Sequence, residues 1–283
     1  MMNKTGLVLE GGGMRGIYTA GVLDLFLDKG IEFDYIIGVS AGANMAASYL
    51  SKQRGRNRQV SLDFLGDKRY LSLQNYIKNR EMFGMDFIFN EIPSVHVPFH
   101  MKDFLLYEGQ YVVACTNCET GETEYFDQSY LNKDLLTILR ASSSLPLMAP
   151  VVDYQGKKLL DGGVTDPIPL RKAQADGITK NVVILTRPKG YVKKSSRLAK
   201  WFKVKGYPQV DEAMRRRPAL YNETLHYVNR QEEVGNVVVI RPSADLKVDR
   251  MEKDKGKLDD LYQLGYSDAE KALDKINALR NIN

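Results

Sequence analysis

Ser40 stands between two glycines in Gly38-Val39-Ser40-Ala41-Gly42. A second glycine-rich corner, Gly11-Gly12-Gly13-Met14-Arg15-Gly16, precedes it, and a third begins at Asp161-Gly162-Gly163. Two chemistries use such corners. Gly11, Gly13 and Gly16 fit G-x-G-x-x-G, the dinucleotide loop whose glycines let backbone N–H groups approach a pyrophosphate. Gly-x-Ser-x-Gly between a strand and a helix is instead a nucleophile elbow, which holds a serine hydroxyl above a sheet to attack an ester carbonyl.

A dinucleotide site also wants an acid at the carboxyl end of the second strand, for the ribose. Here that strand ends in Gly38-Val39-Ser40, with Glu32 and Asp34 at its beginning. No G-K-[ST] follows the glycines, so a nucleoside triphosphate loop fails too. Nucleotide binding and a non-catalytic lipid- or partner-binding scaffold are the alternatives to ester chemistry.

A serine nucleophile needs a base and an oxyanion hole. Gly12 and Gly13 would turn unobstructed N–H groups outward at a helix N-terminus, where an anion is welcome, and Arg15 adds a positive charge. Asp161 in "KLLDGGVTDPIP" ends an apolar strand at an open turn. Its ordinary pKa near ~4 makes it a weak base unless its surroundings raise it. Asp166, before Pro167, reads as a turn former. Ser40, Asp161 and His226 also follow the order Ser…Asp…His of the α/β-hydrolases. His226, however, lies in the helically spaced "LYNETLHYVNRQEEV", and too little chain precedes Ser40 for the strands such folds place there.

In this order, "EGGGMRG", "GVSAG" and "DGG" resemble the patatin-like phospholipase family, which pairs G-G-G-x-R/K-G with G-x-S-x-G and D-G-A/G. "ASSSLPLMAPV" (141–151) is similar to the family's Ala-Ser-Ser…Pro segment. The resemblance covers residues 5–185. It implies a three-layer αβα sandwich around a mostly parallel sheet and a lipid acyl hydrolase working through a Ser–Asp dyad without histidine. Ser40 would be the nucleophile, Asp161 the base, and Gly12, Gly13 and Arg15 the oxyanion region. Gly11, Gly16, Gly38, Gly42, Gly162 and Gly163 are the remaining motif positions. Such chemistry needs no metal or organic cofactor. Glu10 departs from the pattern, standing where many members have Asp, and Asp161 is followed by Gly-Gly rather than Gly-Ala.

The elements that must position these residues are legible nearby. "GLVLEGG" reads as a strand, residues 14–29 as a helix ended by Gly30, "FDYIIGVS" as a second strand and "AGANMAASYLSKQ" as a second helix, which predicts a parallel pair. Later strands are expected in "QYVVACT", "ETEYF", "APVVDY", "KLLDG", "NVVILT" and "NVVVIRP", and helices over 131–141, 208–233 and 258–279.

At 283 residues and 43% hydrophobic, the chain is long enough to bury one large α/β core. The expected organisation is a single domain over 1–283. Its motif-bearing core spans 5–185, and 187–283 forms a basic segment plus a C-terminal helical extension. Two cysteines argue against a disulfide framework. A four-residue apolar run before Glu10 is no signal peptide, and no run approaches the roughly 20 residues of a membrane span. A cytoplasmic protein, peripheral to membranes at most, is expected.

The net charge of +5 is unevenly placed. Residues 187–217 hold eleven Lys/Arg against Asp211 and Glu212, a local +9, so the remainder sums to −4. A solvated arm in a loose segment over 187–207 is one reading. An anionic membrane surface is the other, with Trp201 and Phe202 at the headgroup level. No nucleic-acid module is visible, so no nucleic-acid partner is expected. His96 and His100 with Cys115 and Cys118 offer zinc-type ligands, but Pro98 and the strand position of the cysteines place them poorly for one metal. The stretch from Met82 to Leu105 is dense in Met, Phe, Ile and Pro. It reads either as core or as a soft wall or lid over Ser40 suited to acyl chains.

Overall fold

A computed structural model describes residues 4–195 and 203–281. The described strands are β1 (Thr5–Leu9), β2 (Tyr35–Val39), β3 (Gln110–Asn117), β4 (Thr123–Phe126), β5 (Val152–Tyr154), β6 (Lys157–Asp161), β7 (Lys180–Ile184) and β8 (Val237–Ile240). The helices are α1 (Gly16–Asp28), α2 (Ala41–Leu50), α3 (Arg56–Asp63), α4 (Leu73–Asn79), α5 (Met101–Leu105), α6 (Gln128–Ser143), α7 (Leu170–Ala175), α8 (Pro208–Glu233) and α9 (Lys255–Asn281).

All eight strands join one sheet of order β5-β6-β3-β2-β1-β7-β8, with β4 also pairing β3. From β3 to β8 every neighbour is parallel; β4, β5 and β6 add an antiparallel margin. Side chains alternate between the faces as the strand period requires. Leu7, Leu9, Ile36, Val113 and Ile184 meet α1, α2, α6 and α9 on one side. Val8, Ile37, Val112 and Val183 meet α7 and α8 on the other. This is a three-layer sandwich. The centres of the parallel strands are apolar because both faces are covered.

The expected strands all form, although "APVVDY" is a strand only over its last three residues. The helices predicted over 131–141 and 258–279 extend to Gln128–Ser143 and Lys255–Asn281, and that over 208–233 has those limits. The short helices α3, α4, α5 and α7 carry too little periodicity to read from sequence. Residues 187–195, expected to be loose, are pinned where described. Asn222 on α8 accepts from the Lys193 N–H at 2.8 Å and donates to its carbonyl at 3.0 Å. Trp201 and Phe202 lie outside the described residues.

The C-terminal residues are built onto the sheet. β8 extends it beside β7, and α9 lies along α1. A methyl group at Gly21 would come within 2.1 Å of the Tyr262 carbonyl oxygen, and one at Gly265 within 2.1 Å of that of Tyr18. The two helices therefore meet backbone to backbone. Gly21→Ala should destabilise the chain by about 1–3 kcal/mol, because overpacking at this contact outweighs the ~1 kcal/mol by which alanine favours a helix. The melting temperature should fall by about 2–4 °C per kcal/mol; a rise would contradict the close contact.

Candidate active site

Register brings the three corners together. Val39, the last residue of β2, lies beside Ala114 of β3. The next residue, Cys115, pairs with Asp161 at the end of the antiparallel β6. Ser40 and Asp161 thus reach the same level from opposite strand directions. Gly11–Gly13 arrive at the end of β1, the other neighbour of β2.

Ser40 is the turn between β2 and α2, with φ 53° and ψ −124°, a region a side chain adopts only at a cost of about 1–3 kcal/mol. Its surroundings enforce that turn. The Ser40 N–H donates to Ser142 Oγ at 2.8 Å, and Ser142 Oγ in turn donates to the Ala114 carbonyl at 2.7 Å. Asn44 Nδ2 donates to the Ser40 carbonyl at 3.0 Å and to Ser143 Oγ at 2.8 Å. A methyl group at Gly42 would fall 2.6 Å from the Glu10 carbonyl oxygen, so only glycine lets α2 start this close to the end of β1. Ser40 itself is 8% exposed, reachable only through the cavities that open on it.

Asp161 is 2% exposed. Its carboxylate caps the following turn, accepting from the Gly163 N–H at 2.7 Å. Burial pushes its pKa above the usual aspartate value; the nearby Arg217, a hydrogen bond from Ser40, the Gly163 N–H and Arg250 all oppose that rise. Asp166 does not join it: it accepts from Tyr125 at 2.7 Å away from the cavity. His226 lies exposed on α8 and outside the cavity lining.

On the β1 side, Gly11 packs against Ser40, and Gly12 leads into a 3-10 turn over Gly13–Arg15. Gly13 has φ 59° and carries the Arg250 backbone against it, where a methyl group would meet the Arg250 carbonyl oxygen at 2.6 Å. The Met14 N–H donates to that carbonyl at 3.1 Å. Among the described residues no acceptor takes the N–H of Gly12 or Gly13. Arg15 is 7% exposed and its Nε has no partner; burial, then Arg187 and Arg250, push its pKa down to about 10. Glu10 is buried, accepting from the Thr186 N–H at 2.6 Å and the Tyr221 hydroxyl at 2.7 Å. Gly16 meets Ala41, Gly38 meets Ala43 and Gly162 meets Ala114, each as a close backbone packing position.

Two cavities meet at Ser40, sharing Gly13, Ser40 and Leu145. One, of about 1020 Å³ with its mouth, is walled by Met45, Val60, Phe83, Met85, Phe89 and Leu139 among others. The Met82–Leu105 stretch supplies part of this wall: Met85, Phe89 and Ile92 are both core and lining. Met82 packs on the core without lining the cavity. The second cavity, of about 490 Å³ with the open space at its mouth, is lined by Asp161, Glu10 and five cationic side chains. Three of these, Arg187, Lys193 and Arg217, come from the basic stretch that the sequence reads as a solvated arm or a membrane anchor. Sequence reasoning also passes over Arg250, Ser142 and Asn44. The local charge excess was the visible signal for the first three. Elsewhere, Cys115 and Cys118 are buried in separate clusters on either side of β3, and His96 pairs with Glu91 at 2.8 Å.

A family model described as patatin-like phospholipase matches residues 7–173. The chain belongs to the patatin-like phospholipase family. A second model, a domain of unknown function (DUF6363), matches residues 207–281. The uncharacterized protein YjjU of Escherichia coli is 31% identical over 193 residues, 65% of this chain and 52% of that protein. The lysophospholipase nte1 of Aspergillus oryzae is 26% identical over 297 aligned residues, 97% of this chain but 18% of that protein. The chain therefore spans about half or less of these relatives' lengths. The crystal structure of VipD from Legionella pneumophila aligns over 96% of this chain and 67% of its own, with TM-score 0.50 and 13% identity. That likeness bears on the patatin-like fold alone. Among the described residues no helix is long and apolar enough to cross a membrane.

Proposed function

We propose that this patatin-like chain acts as one unit that hydrolyses lipid acyl esters, using Ser40 as nucleophile and Asp161 as base. The observation that carries the reading is the strained Ser40 turn facing a buried carboxylate where an apolar cavity opens. The Ser40 hydroxyl attacks the ester carbonyl and gives its proton to Asp161. The tetrahedral oxyanion is held by the free N–H groups of Gly12 and Gly13, each donor worth about 3 kcal/mol at comparable sites, with Arg15 behind them. Collapse expels the alcohol, which takes the proton from Asp161, and leaves an acyl-enzyme on Ser40. Asp161 then takes a proton from water, whose oxygen attacks the acyl carbon, and returns it to Ser40 Oγ as the fatty acid leaves. Burial raises the basicity of Asp161 for this task.

The acyl chain would lie in the apolar cavity, which the lysophospholipase relatives make a natural companion to the fold. An anionic membrane surface remains the proposed source of substrate. The test is hydrolysis of p-nitrophenyl esters from butyrate to palmitate. Met45→Trp, which fills the cavity, should lower kcat/KM on palmitate at least tenfold more than on butyrate. An unchanged chain-length profile would count against the acyl assignment. Wild-type protein inert on every ester, phospholipid included, would remove the whole reading.

A further inference from the structure

The polar cavity beside Ser40 contains Arg15, Arg187, Lys193, Arg217 and Arg250 against two carboxylates, Glu10 and Asp161. Both carboxylates are engaged, Glu10 by Thr186 and Tyr221 and Asp161 by Gly163. Nearby arginines are paired: Arg215 and Arg216 bridge to Glu212, and Arg241 to Glu232. Among the described residues none of the five cavity cations has such a carboxylate partner. Arg217 donates to the Gly163 carbonyl at 2.5 Å, and the Nε atoms of Arg15 and Arg187 are buried without any acceptor. Arg15 is buried and the other four are half-buried; unpaired charge even partly withdrawn from water is costly, and here it is concentrated at one place.

We propose that this cavity is the headgroup site for a lipid bearing a phosphate with no compensating cation. In it, Arg187, Lys193, Arg217 and Arg250 select anionic over zwitterionic lipids. The inference rests on the ester-hydrolase reading and deepens it by naming the substrate class. All four residues lie outside the segment 7–173 that matches the patatin-like model, and Arg217 and Arg250 lie in the 207–281 match of unknown function. That C-terminal region would thereby gain a role: reading the headgroup.

Three features favour a phosphate without an attached ammonium. The cavity shares Ser40 and Gly13 with the apolar one, so an acyl chain in the latter directs the alcohol side of its ester among the cations. Like charge already crowds the site: burial, then Arg217 and Arg250, bring the Lys193 pKa down to about 7, and a bound anion relieves that repulsion. The aromatic faces that could receive a quaternary ammonium are occupied. Arg187 lies 4.6 Å from the Tyr191 ring centroid and Lys193 4.7 Å from that of Tyr221. A choline group would find cations where it needs π faces.

Binding to the Ser40→Ala protein tests this without turnover. Calorimetric titration below the micellar limit would compare dihexanoyl phosphatidic acid, dihexanoyl phosphatidylcholine and inorganic phosphate. We expect the phosphatidic acid to bind at least tenfold more tightly than the phosphatidylcholine, and inorganic phosphate to compete only at far higher concentration. Adding Lys193→Met and Arg250→Met should bring the two lipids within threefold. If that protein does not fold by circular dichroism, Lys193→Met alone should at least halve the preference. Equal affinities, a preference untouched by the substitutions, or inorganic phosphate binding as tightly as the lipid would each overturn the proposal, the last by assigning a free-anion site. Wild-type hydrolysis of p-nitrophenyl esters, measured alongside, separates failure here from failure of the ester-hydrolase reading.

Discussion

Ser40→Ala should reduce hydrolysis of a p-nitrophenyl ester by about 10³-fold or more, the loss expected when the group that forms the acyl bond is removed. The Cβ is retained, so the turn and the Ser142 and Asn44 bonds to the residue-40 backbone should survive and the melting temperature should barely change. Ser40→Gly sharpens the point. It removes the nucleophile and also the strain at φ 53°. About 1–3 kcal/mol of strain is relieved, against ~0.5–1 kcal/mol of added chain entropy in the unfolded state. The net gain of about 0–2.5 kcal/mol should let the inactive glycine variant melt about 0–10 °C higher than wild type. Activity retained by either variant would remove Ser40 from the mechanism. A glycine variant that melts well below wild type would mean that the serine side chain, rather than its surroundings, holds the turn.

Asp161→Asn should cost about 10²–10⁴-fold in kcat/KM, the range for loss of a general base, while Asp166→Asn should cost little. The pH profile gives a second reading. Asp161 must be ionised to accept the Ser40 proton, and its folded-state pKa lies above that of a free aspartate because burial disfavours the charge. Activity should therefore be fully present only above that raised value and fall as pH drops through it, earlier than an exposed aspartate would dictate. In Asp161→Asn the residual activity should lose this acidic limb. His226→Ala, a substitution on an exposed helix face, should leave both rate and profile within about twofold. If it matched Asp161→Asn while remaining folded, the base assignment would fail.

Stability carries the opposite sign from the common carboxylate case. A native pKa raised above the unfolded one means that the folded state holds the proton more tightly. The Asp161 contribution therefore disfavours the fold above its native pKa and fades as pH falls through it. Asp161→Asn can consequently be as stable as wild type at pH above the native Asp161 pKa while being far less active. Keeping an ionisable group where it destabilises the chain is the pattern expected of a functional residue rather than of a packing one.

The sequence by itself determined whatever depends on neighbours along the chain. Glycines at 38 and 42 around Ser40, the short apolar runs of β1 and β2, and the period of the helix that became α8 are local statements. Each is enforced by sterics or by the repeat of the element, so residue types suffice to read it. The candidate Ser40, Asp161, Gly12 and Gly13 were all visible in this way, and the parallel pairing of β1 with β2 followed from the order of the elements. Tertiary structure alone decided which distant groups meet. The antiparallel return of β6 puts Asp161 level with Ser40, and Ser142 reaches back from α6 to hold the Ser40 N–H. The close approach of Gly21 to Tyr262 and of Gly265 to Tyr18 lets α9 lie on α1, and Arg217 and Arg250 turn inward beside Arg15. A charge count over 187–217 registers an excess of cations but not its direction. Whether a lysine faces solvent or a cavity depends on elements far away in sequence, and burial, not composition, gives those charges their chemical force.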